Sequence, residues 1–215
     1  MNPASRIYRL AIGLLMLLPL LVSAQSSAAT FEENVHYSRL ANPVPVSTPA
    51  GKVEVAEMFW YGCPHCFRLE PFIKTWKDSA PDDVEIVRIP GVLNPSWGVH
   101  ARAYYAAEAM GVTDQLHEKI FVAIHEQGRR LNTEDAIVRF VTSQGVDGEA
   151  FKAAMNSMAA STKVARAEEL GKLYELTGVP ALIVGGKYRV LSSGVRSYDE
   201  MFNVVDFLAE KIRNN

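Results

Sequence analysis

The 215-residue chain holds two cysteines, three positions apart in the run Cys63-Pro64-His65-Cys66. Side chains at i and i+3 on a helix lie roughly 5–6 Å apart, so this pair can close a disulfide with little backbone movement. The closed loop is so short that it removes little chain entropy, and a bridge here stabilises a fold far less than a long-range one does. Exchange chemistry is the better use of the pair. If the run opens a helix, Cys63 falls at or near the N-cap, where unpaired backbone N–H groups and the positive helix end favour a thiolate. His65 adds a second donor and, when protonated, a positive charge beside that sulfur. An acidic Cys63 stabilises the dithiol relative to the disulfide by ~1.4 kcal/mol per pKa unit, because only the reduced pair carries the charge. It also leaves a mixed disulfide readily, so the bond passes to another protein's cysteines, an oxidase direction of chemistry. Cys66, on the inward side of the turn and followed by Phe67, is expected to be the buried partner.

These roles require a strand, a turn and a helix in that order. Lys52–Trp60 (KVEVAEMFW) reads as a strand buried on both faces that runs straight into Gly62 and Cys63. Pro64 fits the first helical position, and Phe67, Leu69, Phe72, Ile73 and Trp76 supply the helix with apolar surface. Pro71 is expected to kink or split that helix. Val84–Ile89 reads as a second strand, reached by a right-handed parallel crossover. Helical periods then recur from about residue 97 to 177: Leu116, Ile120, Ala123 and Ile124 share a face, as do Ile137, Phe140 and Val141, and Ala167, Leu170 and Tyr174. Pro180–Val184 and Tyr188–Leu191 flank Gly185-Gly186-Lys187, the pattern of an antiparallel hairpin. Ser197 and Glu200 fit a capping box for a last helix with Met201, Val204, Val205, Leu208 and Ile212 on its apolar face.

The N-terminus sets the compartment. Arg6 and Arg9 precede an uncharged stretch from Leu10 to Val22 and then Ser23 and Ala24, the plan of a secretory signal over residues 1–24 with cleavage after Ala24 or, as the alternative, near Ala28. At about 1.5 Å per residue that apolar stretch is short of a bilayer's hydrocarbon core, roughly 30 Å thick. Residues 25–50, rich in Ser, Ala, Pro and Thr, read as an arm leading to the domain. The whole chain balances 22 basic against 24 acidic residues, a net charge of −2, and loss of the leader's two arginines takes the remainder to −4. A nucleic-acid partner is therefore not expected. Export of this kind places both cysteines in an oxidising compartment.

Taken together, EMFWYGCPHC from Glu57, the helical block, TGVPALIVGGKYRV from Thr177 and the final helix resemble the thiol-disulfide oxidoreductases of the thioredoxin fold, and closely the periplasmic DsbA disulfide oxidoreductases. The resemblance implies an α/β, thioredoxin-like fold with a helical domain inserted between the second and third core strands. Its divisions are a first thioredoxin-like part over 51–95, the insertion over 96–177, and a second part over 178–215. It implies that Cys63 is the exposed nucleophile and Cys66 its buried partner, and that Pro64 and His65 are the intervening residues of the active centre. Val179-Pro180 matches a cis-proline loop facing the sulfurs, whose Val179 backbone is free to pair with a substrate strand. Glu57 matches a buried acid beneath the disulfide, a proton acceptor for Cys66. Glu70 matches an acid near the active-site helix, although a solvated helix face explains it equally well.

Tyr61 and Gly62 stand where other members often carry bulkier apolar residues, which leaves the local peptide groove open. An apolar groove near Trp60, Tyr61, Pro180 and the helical insertion is expected to accept substrates. His36, His100, His117 and His125 show no ligand spacing, and core or surface roles are expected for them. The implied partners are unfolded or folding exported proteins with free cysteines, and a quinone-linked membrane oxidase of the DsbB type. A monomer is expected, with no metal and no cofactor beyond the Cys63–Cys66 disulfide. The same-fold alternative is a disulfide isomerase or reductase. A metal-binding thiol module is the alternative from another class, since thiolates suit soft metals.

Overall fold

A computed structural model describes residues 30–214; the leader over 1–24 lies outside the described residues. Five strands form one mixed sheet: β1 (Tyr37–Arg39), β2 (Val53–Phe59), β3 (Val84–Pro90), β4 (Ala181–Val184) and β5 (Tyr188–Val190), in the spatial order β1-β5-β4-β2-β3. Strands β2 and β3 run parallel, and the other pairings are antiparallel. Every residue of β2 is buried, as its apolar composition requires of a strand covered on both faces. Alternation along it feeds two cores: Val53 and Val55 join one cluster, Ala56 and Met58 the other.

On the first face lie α1 (Pro64–Ser79) and the C-terminal helix α7 (Tyr198–Arg213), with Leu69, Ile73 and Trp76 meeting Phe202, Val205 and Leu208 in one cluster. The Trp76 indole stacks on Phe202 and donates to Asp206. Ser197 caps α7 by accepting from the Glu200 amide, while Glu200 reaches back to the Arg196 N–H, one residue before the cap. The second face meets a helical block between β3 and β4: α2 (Gly98–Ala109), α3 (Thr113–His125), α4 (Glu134–Ser143), α5 (Gly148–Met155) and α6 (Met158–Leu173). Leu116, Ile120 and Ala123 are buried, as are Ile137, Phe140 and Val141, and Ala167, Leu170 and Tyr174. Gly185 and Gly186 both take left-handed φ, which the tight β4–β5 turn demands and glycine supplies without a Cβ clash.

Two expectations are corrected. Part of the stretch read as an arm is sheet: Tyr37–Arg39 pairs with Tyr188–Val190 along one edge. Three residues are too few to show a period. Pro71 does not split its helix, because α1 continues from Pro64 to Ser79 with Leu69 and Ile73 buried on either side of it. Packing on both sides of the missing N–H outweighs the one lost backbone bond.

Candidate active site

Strand β2 ends at Phe59, and a β-turn closed by the Cys63 N–H donating to the Trp60 carbonyl (2.9 Å) delivers Cys63 onto the end of α1. Cys63 is the N-cap: its sulfur accepts from the Cys66 amide at 3.4 Å, and Pro64 sits inside the first turn, where a missing N–H costs nothing. Both cysteines are free thiols. The Cys66 thiol bonding to the Cys63 sulfur lowers the pKa of Cys63 most, and the amides of Cys66 and His65 help. Against partial burial, they bring its pKa down to about 6. The charge of His65 is the weakest of these causes. The exposed His65 ring instead bonds Arg68 through Nδ1, so this residue helps the sulfur mainly through its backbone. Burial, the bond to Cys63 and the charge of Cys63 all push the Cys66 thiol far up. The two sulfurs are thus sharply unequal.

Cys63 is less open than an exposed nucleophile would be: it is 7% accessible, and Cys66 is 0%. Its thiol donates to the Val179 carbonyl at 3.4 Å, across the loop where the Val179–Pro180 peptide is cis. That loop brings Val179 and Pro180, both half-buried, against the pair from 116 residues away in sequence. A cleft of about 400 Å³ borders this loop and His65, lined on its far side by Ser192, Ser193 and Tyr198. The expected groove is corrected accordingly. Tyr61 is 1% accessible and lines no surface. Its ring packs edge-on against Phe59 and Phe121.

Gly62 has a local cause. A Cβ there would fall 2.3 Å from the Trp60 indole, which folds over the glycine and stacks on Trp97 at 4.3 Å with the rings within 3° of parallel. A bulkier residue at 62 is incompatible with that stack.

Glu57 lies fully buried on β2, and the parallel register sets it beside Arg88 of β3. Arg88 Nε approaches Glu57 Oε2 to 3.1 Å as an ion pair, though neither carboxylate oxygen accepts an aligned hydrogen bond. Burial, and next the Glu70 charge, push the Glu57 carboxyl up to about 8, against the pull of Arg88. Its charge in turn raises the Cys66 thiol, which places it within electrostatic reach of that sulfur. Glu70 is no solvated acid: it accepts from Arg88 at 2.8 Å and faces His117 Nε2 at 3.0 Å. Despite its burial, those two partners hold it below the usual carboxylate range. Arg88, His117 and the Tyr61 hydroxyl, bonded to His117 Nδ1 at 3.0 Å, complete the network and were not legible as site residues. The one available signal was Glu57 itself, an acid inside a strand read as buried on both faces, which calls for a counter-charge without saying which residue supplies it.

The remaining histidines divide. His100 is a core residue bonded to the Leu131 carbonyl, and His36 accepts from the Glu32 amide. His125, half-buried, bonds the Tyr61 carbonyl at 2.8 Å. Among the described residues no three His, Cys, Asp or Glu side chains cluster as a metal site, and no helix is long and apolar enough to cross a membrane. What the arrangement can do is exchange one disulfide, with an acidic sulfur outermost and a titratable acid behind the inner one.

Known proteins resemble this chain in sequence and in fold. Residues 96–206 match the family of the DSBA-like thioredoxin domain. The chain is 39% identical over 188 residues to the thiol:disulfide interchange protein DsbA of Pseudomonas aeruginosa, covering 87% of this chain and 89% of the relative. It is 40% identical over 192 residues to that of Pseudomonas syringae pv. tomato, covering 89% of each. The crystal structure of Pseudomonas aeruginosa DsbA superposes with a TM-score of 0.80 at 39% identity, over 86% of this chain and 95% of that one. The oxidoreductase NmDsbA1 from N. meningitidis superposes at 0.75 and 32% identity, over 85% and 94%.

Proposed function

This chain belongs to the DsbA family of thiol:disulfide interchange proteins, and from that premise we propose that it works as an oxidant, giving its Cys63–Cys66 disulfide to cysteines of newly exported proteins. The observation that carries the direction is the N-cap position of Cys63, whose sulfur takes bonds from the amide and thiol of Cys66. A substrate thiolate attacks the Cys63 sulfur, and Cys66 leaves as a thiolate that takes a proton from Glu57. A second substrate thiolate then attacks the substrate's own sulfur in the mixed disulfide, and Cys63 leaves as a stabilised thiolate. Two substrate thiols become a disulfide, and the enzyme's pair becomes a dithiol. Glu57, which keeps its proton up to about pH 8, serves as donor in this direction and as acceptor when the pair is reoxidised.

Val179 and Pro180 line the approach, with the Val179 backbone pairing with an extended substrate segment. The cleft beside them receives both the substrate and the loop of a quinone-linked membrane oxidase of the DsbB type. The leader over residues 1–24 supports a periplasmic site of action. The large exposed apolar side chains, Val35, Val46, Leu93, Met158 and Leu173, are scattered, the last two at opposite ends of the 16-residue α6, which supports a monomer. No group beyond the disulfide itself is needed for the exchange.

A thiolate absorbance titration of the reduced protein, followed by equilibration with glutathione, tests the direction. The expected outcome is a midpoint near 6 and a pair that stays reduced at glutathione ratios that would oxidise an ordinary dithiol. A midpoint in the range of free cysteine, or a pair as reducing as thioredoxin's, would overturn it.

A further inference from the structure

Two histidines of α3, two turns apart, meet on one residue. His117, in the second turn, bonds the Tyr61 hydroxyl through Nδ1 at 3.0 Å, and His125, the last residue of the helix, bonds the Tyr61 carbonyl through Nε2 at 2.8 Å. The carboxylate of Glu70 faces His117 Nε2, so that nitrogen carries the proton and Nδ1 accepts from the tyrosine. The Tyr61 carbonyl is an acceptor only, so His125 carries its proton on Nε2. Its ring lies flat on Phe67, centroids 5.1 Å apart and 11° from parallel, which fixes its direction.

Tyr61 and Gly62 are the two central residues of the turn that presents Cys63. The closing bond of such a turn, from Cys63 N–H to Trp60 C=O, survives rotation of the central peptide, since the two common turn types differ by that flip. The flipped form needs a left-handed φ at the third residue, which only a residue such as glycine takes freely. Gly62, required by the Trp60 indole, does not adopt that φ, yet nothing in its own chemistry forbids it. The peptide is held from outside the turn, by His125.

We infer that His125, with His117 gripping the other end of Tyr61, is a positioning residue for the nucleophile: the pair locks the Tyr61–Gly62 peptide and so keeps the Cys63 sulfur against its donors. The inference rests on Cys63 being the acidic sulfur. Its bond from the Cys66 amide spans 3.4 Å, long enough that a few tenths of an ångström of added freedom weakens it appreciably. The helical block thereby acts on the reaction without touching substrate.

Thiolate absorbance titrations of reduced wild type, His125→Phe and His125→Gln decide it. Phenylalanine keeps the stack on Phe67 and loses the donor; glutamine restores an N–H at a similar reach. The expected result is a Cys63 midpoint raised by about half a pH unit in His125→Phe, roughly a threefold loss of acidity, with most of it recovered in His125→Gln. An unchanged midpoint in a folded His125→Phe protein would overturn the inference. Should that variant not fold, imidazole nitrogen NMR of the wild type decides: the Nε2–H form at His125 supports the clamp, and the Nδ1–H form refutes it. A wild-type midpoint in the range of free cysteine would instead sink the reading of Cys63 on which the clamp depends.

Discussion

Two identical side chains three residues apart end up with opposite acid behaviour. Cys63 caps a helix and receives donors; Cys66 is sealed at 0% accessibility and gives one. The cost of that asymmetry falls on Cys66, which must lose a proton whenever it closes the disulfide, and Glu57 is the group within electrostatic reach that titrates near working pH. Glu57→Gln keeps the shape and removes the acceptor. In the wild type, the rate at which Cys66 closes on a mixed disulfide is expected to rise with pH and level off above about 8. In Glu57→Gln that step in the profile disappears, and the rate at pH 9 falls roughly tenfold. Stopped-flow closure of a peptide mixed disulfide across pH measures both, and an unaltered profile would remove Glu57 from the proton path.

The element that turns sequence into reactivity is the short connection from β2 to α1. Trp60 folds back over Gly62 and onto Trp97, Tyr61 goes inward, and Cys63 is left at the helix end. Gly62→Ala puts a methyl group where the indole lies, so the Trp60–Trp97 stack must open. The backbone φ is ordinary, so the effect is overpacking, expected to cost about 1–3 kcal/mol. Loss of the near-ultraviolet circular dichroism of the paired indoles, together with a lower unfolding midpoint, is the expected signature. A variant that keeps both would show that the indole yields at no cost.

For the molecule as a whole, the acidity of Cys63 links redox state to stability. In the reduced protein Cys63 ionises at about 6 when folded and near 9 when unfolded. Between those values the unfolded chain holds the extra proton, so the stability of the reduced form rises with pH from about 6 to 9 and the gain is lost as pH falls through 6. The oxidised form has no thiol and lacks this rise. Glu57 works the other way: its folded value of about 8 exceeds the ordinary 4.5, so its burial destabilises increasingly from pH 4.5 to 8. That contribution is shared by both redox forms and largely drops out of their difference. Calorimetry of the two forms is expected to show their unfolding temperatures shifting in favour of the reduced form between pH 6 and 9. A difference independent of pH would contradict the acid assignment.

Local rules wrote the nucleophile into the sequence. A strand running into Gly62-Cys63-Pro64 fixes a helix start at the first sulfur, and the 3.6-residue period marks Leu116, Ile120, Phe140 and Leu170 as core because each pattern is complete within one segment. The short edge strand at Tyr37–Arg39 escaped, since its pairing partner lies about 150 residues away and three residues carry no period. For the same reason Arg88, His117 and His125 carried no mark of their roles: each is defined by what it faces across the fold. Glu70 was equally consistent with solvent until Arg88 and His117 closed on it. Sequence by itself determined which sulfur would be acidic, because a helix N-terminus is a local object. Tertiary structure alone decided what surrounds that sulfur, because burial and charge pairing depend on distances between segments that no single stretch of chain contains.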